Sequence, residues 1–533
     1  MRPLTAASLL LLVAIADVAA CGGDSSRAAP APGTGSTPPG SPSGPDGSGS
    51  TPVSLPGAAD EGCTVGDAVC TGIARRHACV ANATGGGHWT DDTRAAGSGC
   101  FGGASTPTRC SDDSALWTGT LLASEALCLR ATGSADARAR VRTLTETMHL
   151  WLNVAGEPGM LVRWAKESAT TLPFAIGDLD CAVERVHCGV DHGDKKYDFV
   201  GHISRDQCQG VMLGLALAYD ALGSADADLR ELVRADVVTV VEELMKERTL
   251  PLTVTLNGGV PLTSMVTARF MVVSPREMKN GALDLRLDLA KPNDSEMFGF
   301  QEFCPNLAQL VRQLPGLGWV PDVNRASSAI MLASFFRVGL KVTEGVPAYA
   351  KRRADMLAYY TGHSGEGGSV ADWLAVAKQW TDGGSCGSGY FANNFSMMPM
   401  YDLARLEDDP ARAAVIQNDI LGAKMWPAFA STKNSFFSFI YAGTRSGVDA
   451  AVVTSAAAQL AQYPAAPRVM GAVDLRSSAK YPTRQQGCVT RGRFSTRAIR
   501  RRLPRGLFHG PPARVHRRRH PRYLPRLAVT ERM

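Results

Sequence analysis

Three kinds of signal are missing from this chain of 533 residues, and each absence closes a class of function. There is no nucleophile elbow, Walker loop or dinucleotide fingerprint, so acyl transfer, nucleoside-triphosphate chemistry and hydride transfer have no positive support. The 13 cysteines contain no paired Cys-x-x-Cys spacing, which removes the usual zinc ligand sets. The apolar run over residues 9–15 is too short to span a bilayer. Residues 22–62 hold no Phe, Trp or Tyr and cannot bury enough apolar surface to order themselves.

What is present is ordinary in bulk: 45% hydrophobic and 20% charged residues suit one large globular domain with attachments. Arg2, the apolar run and the small residues up to Cys21 form a secretory signal over residues 1–21. Within it, Val18-Ala19-Ala20-Cys21 resembles the lipobox of bacterial lipoproteins. That resemblance implies export to the cell envelope, lipidation of Cys21 and membrane attachment through the lipid. Residues 22–62 then serve as a tether, spanning roughly 35 Å root mean square if fully flexible.

The formal net charge of +6 belongs to one end of the chain. Residues 487–533 carry fourteen arginines, no lysine and one acid, which leaves 42 basic against 49 acidic residues elsewhere. The main domain is therefore expected not to bind nucleic acid. The tail, residues 476–533, reads as a basic disordered segment that binds polyanions, or as the product of a shifted frame in a GC-rich gene. Its Arg, Pro, Gly and Ala bias favours the second.

Cysteines in an exported chain point to disulfides before metals. Cys63, Cys70, Cys79, Cys100 and Cys110, with Gly87-His88-Trp89 among them, resemble the small Cys-rich modules of bacterial surface proteins. A module over residues 63–110 has little core of its own, and cross-links compensate. Cys181 and Cys188 are close enough to staple a local loop, while Cys208, Cys304 and Cys386 either pair at long range or stay as buried thiols.

From residue 111 to 475 the pattern is helical and repetitive. Gly133-Ser134-Ala135-Asp136-Ala137 recurs letter for letter as Gly223-Ser224-Ala225-Asp226-Ala227, each time between two helical patterns. Five helix pairs follow: 115–130 with 135–153, 204–222 with 225–246, 325–340 with 346–360, 390–406 with 410–425, and 435–442 with 449–462. The first helix of each pair is apolar nearly all round and the second carries a charged face, as inner and outer layers would. Residues 250–286 predict a small β-hairpin insertion around Asn257-Gly258, and the polar residues 172–201 predict a loop.

Trp117-Thr118-Gly119, Gly156-Glu157-Pro158-Gly159, Ser204-Arg205-Asp206-Gln207, Phe391-Ala392-Asn393-Asn394 and residues 434–441 resemble bacterial secreted proteins of the α/α-toroid type. Those are similar in architecture to the six-hairpin glycoside hydrolases and polysaccharide lyases. The resemblance implies a mainly α toroid of helical hairpins, incomplete if the tail is frame-shifted. It also implies a polysaccharide partner, met in a funnel by hydrolysis or β-elimination. A non-catalytic surface or adhesion role with the toroid as scaffold is the rival.

Ser204 and Gln207 read as a capping box opening a buried helix, with His202, Arg205 and Asp206 at its mouth. With Tyr197 these are the catalytic candidates: His202 titrates near neutrality, Arg205 suits a carboxylate, and Asp206 suits a base or nucleophile if it is more than a helix-terminal charge. Asp191, His192, Asp194, Asn393 and Asn394 are candidate substrate contacts. Asp191, His192, Asp194 and His202 have a mixed spacing that is weak for a cation, so neither metal nor cofactor is expected. Glu302, Asn306, His363, Trp373 and Trp380 form a second tier, and Arg163 and Trp164 fall near the same mouth. Met397, Met398 and Met400 are expected in the core.

Overall fold

The computed structural model describes strands at residues 68–70, 76–81 and 87–91, then residues 114–170, 181–202, 204–290, 295–362, 369–382, 387–430, 434–444 and 449–461. The secretory signal with Cys21, the tether, the tail, His363 and Cys386 lie outside them, as does the Asn394 side chain. Of the Cys-rich segment, β1 (Ala68–Cys70), β2 (Arg76–Ala81) and β3 (Gly87–Asp91) form an antiparallel sheet in chain order.

The five predicted helix pairs are all present. They are α1 (Ser114–Thr132) with α2 (Ala135–Asn153), α3 (Arg205–Ala221) with α4 (Ala227–Met245), and, after the short α5 (Ala308–Val311), α6 (Ala326–Val342) with α7 (Ala350–Tyr360). After α8 (Val370–Ala377), α9 (Gly387–Leu406) runs back along α10 (Pro410–Ala414), which continues as a π-helical stretch Val415–Met425 and α11 (Trp426–Ala430). The fifth pair is α12 (Ser435–Thr444) with α13 (Ala450–Ala461). Asp409 caps the fourth turn by accepting from the Arg412 N–H at 2.8 Å, with Pro410 in the first helical turn, where its missing N–H costs nothing.

Burial separates two kinds of helix, as the sequence pattern implies. α3 is buried without a break from Gln207 to Tyr219, and α6 from Ser328 to Leu340. By contrast α2 buries Ala137, Val141, Leu144, Met148 and Leu152 along one face, while α4 is mixed and buries Arg234, Asp236 and Glu243 besides its valines and leucines. Glycine sets the distance between α1 and α3. A Cβ on Gly119 would collide with the Gly210 carbonyl, one on Gly210 with that of Leu116, and one on Gly214 with that of Gly119. The two backbones therefore touch directly. Among the described residues no helix is long and apolar enough to cross a membrane.

The two identical turn sequences fold differently. Gly133 is left-handed (φ 65°) and Ser134 accepts from the Ala137 N–H at 3.4 Å. Gly223 has φ −93°, and Ser224–Asp226 forms a 3-10 turn with no side-chain cap. The difference is tertiary: Asp226 is buried, and Arg138 from the first copy donates to it.

Two expectations need correction. Residues 181–200 are not a loop: β4 (Trp164–Glu167), β6 (Lys195–Val200) and β5 (Val186–His192) form an antiparallel sheet in that order. Only Val186, Tyr197, Phe199 and Val200 of β5 and β6 are buried, too few for a visible alternation. The Cys181–Cys188 disulfide at the start of this segment is formed, with Cα atoms 5.9 Å apart.

The insertion is also larger than a hairpin. β7 (Arg248–Leu256) and β8 (Leu262–Ala268) do pair through a turn with Asn257 at φ 51° and Gly258 at φ 70°, the geometry of a two-residue primed turn. β10 (Leu283–Leu287) then joins β7 in parallel and β11 (Glu296–Phe298) joins β10, giving the order β11-β10-β7-β8. β9 (Met271–Val273) pairs with β12 (Phe300–Glu302). Leu252, Val254, Leu283, Leu285, Leu310 and Val311 make a second core, distinct from the helical one.

Candidate functional site

Two inner helices begin at the same place. Arg205, the first residue of α3, donates from Nη1 to Ser328 Oγ in the first turn of α6 at 2.6 Å. Between these helix starts and the insertion lies a cavity of about 500 Å³. Its lining includes Ser204, Arg205 and Asp206 of the first helix start and Asn324, Arg325 and Ser327 of the second. Met297, Phe300, Gln301 and Glu302 come from the insertion, and Trp380, Asn393 and Ser396 from the segment around α9.

Ser204 occupies the N-cap of α3 in extended conformation, but its hydroxyl accepts from Gln207 Nε2 at 3.4 Å and caps no backbone N–H. The reciprocal capping box is thus not formed. At the N-cap of α6, Arg325 turns its side chain away into the lining. It is fully buried and donates to Glu302, equally buried, and to Ser295 Oγ at 2.6 Å. Arg205 Nη1 stands 3.9 Å from the same Glu302 oxygen, so two guanidinium groups share one carboxylate. Glu302 Oε2 accepts from the Cys304 N–H at 2.7 Å. Burial pulls the Arg325 guanidinium down to about 10, Arg205 adding to the effect and Glu302 opposing it.

Asp206 is half-buried, and its Oδ1 is out of solvent with no hydrogen-bond partner. An acceptor left in that state costs about 1 to 3 kcal/mol, and no other group among the described residues bonds the Asp206 carboxylate, which lines the cavity. Trp380 is buried and donates from Nε1 to Ser396 Oγ at 3.0 Å. Asn393 is buried and donates to Asp382 at 2.8 Å. Arg163 donates from Nε to the His202 carbonyl at 2.8 Å and also reaches the lining.

His202 lines the cavity, yet its ring is committed. Its backbone is left-handed (φ 51°), its N–H donates to Glu277 Oε1 at 2.7 Å, and the imidazole stacks on Phe298 with centroids 4.5 Å apart. Nε2 lies 2.6 Å from the Met297 carbonyl. A carbonyl only accepts, so Nε2 carries the hydrogen and the ring is held as one tautomer. Burial, with Arg163 and Arg185 nearby, holds the imidazole below its ordinary value. His202 is built as a fastening between the helical body and the insertion.

No family model, curated protein or solved structure matches this chain.

The lining gathers four of the sequence candidates, His202, Arg205, Asp206 and Asn393, together with Arg163, Glu302 and Trp380. The other candidates among the described residues fall elsewhere. Tyr197 is buried in β6 with its ring edge-on to His192, 5.9 Å away. Asp191 is exposed and accepts from Lys196 at 2.7 Å, and Asp194 is exposed in the turn between β5 and β6. Trp373 packs in the core against Phe270 and Phe336, Trp164 is buried in β4, and Asn306 donates to Asp322. Met397, Met398 and Met400 are core residues, as expected. Arg325 was not a candidate, because nothing local in the sequence before α6 marks the carboxylate that it meets. Among the described residues no three His, Cys, Asp or Glu side chains converge as a metal set.

Proposed function

We propose that this chain is an exported, lipid-anchored bacterial surface protein whose helical hairpins form an α/α toroid and whose cavity at the start of α3 binds and processes a glycan. The observation that carries the reading is the Asp206 carboxylate, half-buried and without a hydrogen-bond partner among the described residues, in the lining of a cavity that also offers Arg205, Asn393 and Trp380. A carboxylate acceptor beside an aromatic wall is what a sugar ring needs, hydroxyls toward the first and a C–H face toward the second. Hydrolysis suits the lining better than elimination, because Asp206 and Glu296 supply two carboxylates and Tyr197 lies away in β6. Asp206 would act as base or nucleophile, with Arg205 orienting the substrate.

A binding-only role is the second reading, and the interior favours it. Leu213, Leu217 and Met397, further along α3 and α9, are buried in the helical core, while the described lining draws on the starts of α3 and α6. The full chain incubated with a panel of polysaccharides should release reducing ends from at least one. Asp206→Asn should lower that rate by about a hundredfold or more with binding retained. Unchanged turnover in the variant would remove Asp206 from the chemistry, and binding without turnover in the wild type would favour the scaffold.

A further inference from the structure

We propose that the cavity recognises the acidic substituent of an anionic glycan, with the open edge of Arg205 as its clamp; this rests on the glycan reading above and names the class of sugar. Around Arg205 the described residues set two cations on one carboxylate. Arg205 and Arg325 share Glu302, which is completely buried and already accepts from Arg325 and from the Cys304 N–H. Glu296 does not offset the surplus, since its side chain is 60% exposed and pairs with Arg286 at 3.4 Å. Among the described residues of the lining, Asp206 is then the other carboxylate beside Arg205.

Arg205 is the cation able to use the surplus. Its Nη1 is held by Ser328 and faces Glu302, which fixes the plane of the group. The Nε and Nη2 donors have no partner among the described residues, and the side chain is 18% exposed. An Nε–Nη2 edge presents two parallel N–H groups at the spacing of a carboxylate or sulfate, and preorganisation by Ser328 lowers the entropy lost on binding. Asp206 does not repel such a ligand if the acidic group lies on Arg205 while a ring hydroxyl donates to the Asp206 carboxylate. One sugar residue carries both groups, and the cavity volume of about 500 Å³ holds a short oligosaccharide. The first-turn N–H groups of α3 and α6 have no side-chain cap, which adds to the positive potential.

The test uses the full chain, calorimetry and a panel of uronic-acid oligosaccharides, each paired with its carboxyl-reduced neutral counterpart. The acidic member of at least one pair should bind ten times tighter or more, the preference weakening steeply with salt. Arg205→Gln should abolish the preference, and Arg205→Lys, which keeps the charge but not the fork, should keep part of it. Equal affinity for both members of every bound pair would overturn the acidic-sugar inference and leave glycan binding standing. No binding to any member would overturn both. Because the matched pairs are compared in the wild type, the result does not depend on either variant folding.

Discussion

At the scale of single residues, the most consequential group is a buried charge. Arg325 and Glu302 have no exposure, and each is the other's main partner. Arg325→Met should cost about 3 kcal/mol in urea unfolding, because Glu302 is left as a buried anion with only Arg205, 3.9 Å away, and the Cys304 N–H against its charge. Replacing both with apolar residues should recover most of that loss; a double variant as unstable as the single would show that packing, not charge, is what Arg325 supplies. Histidines give a second residue-level prediction. His149 lies 2.9 Å from Asp236, whose hydrogen bond raises the imidazole above its ordinary value against the opposing effect of burial. A raised folded value means the contribution is fully present below the unfolded value of about 6.5 and fades as pH rises through the folded one. The melting-temperature gap between wild type and His149→Gln should therefore be largest near pH 5 and shrink by pH 9. A gap that widened with pH would refute the assignment. For His202, held low, the sign is opposite.

At the scale of elements, the close contact of α1 with α3 is the most exacting. Gly210→Ala places a methyl against the Leu116 carbonyl, and backbone cannot yield as a flexible side chain can. A loss of at least about 2 kcal/mol is expected. Gly223→Ala is the matched control: nothing lies within 4 Å, φ is −93°, and stability should stay level or rise slightly. Equal costs at the two positions would contradict the close approach. This is also where sequence legibility can be judged. All five hairpins could be read because their apolar residues recur at helical spacing and their turns carry Gly, Ser, Asp and Pro. The Asn257-Gly258 turn was readable for the same local reason. The β4-β6-β5 sheet was not, since few of its residues are fully buried and β4 lies far from its partner β6 in the chain. At the cavity, local chemistry identified the α3 end, but Arg325 arrives from a helix start 120 positions further on, a juxtaposition only the fold reveals.

At the scale of the whole molecule, two cores are joined by a polar and aromatic seam. The helical core and the insertion core meet at Arg325 with Glu302, at Cys208 with Gln301 (3.2 Å), and around His202, which touches Glu277, Met297 and Phe298. His202→Asn tolerates the left-handed backbone yet loses the stack and the carbonyl bond. Hydrogen exchange should then quicken about tenfold in β10 and β11, with α2 and α4 unchanged. Uniform acceleration would mean that the two cores open as one unit. The glycines between α1 and α3 carry a further meaning for ancestry. Where backbone meets backbone no neighbouring side chain can shrink to accommodate a new one, so Gly119 and the Gly210-x-x-x-Gly214 pair can change only together, with a wider helix spacing. Distant kin of this chain are thus to be sought by that linked trio, which drift in surface residues and loops would leave intact.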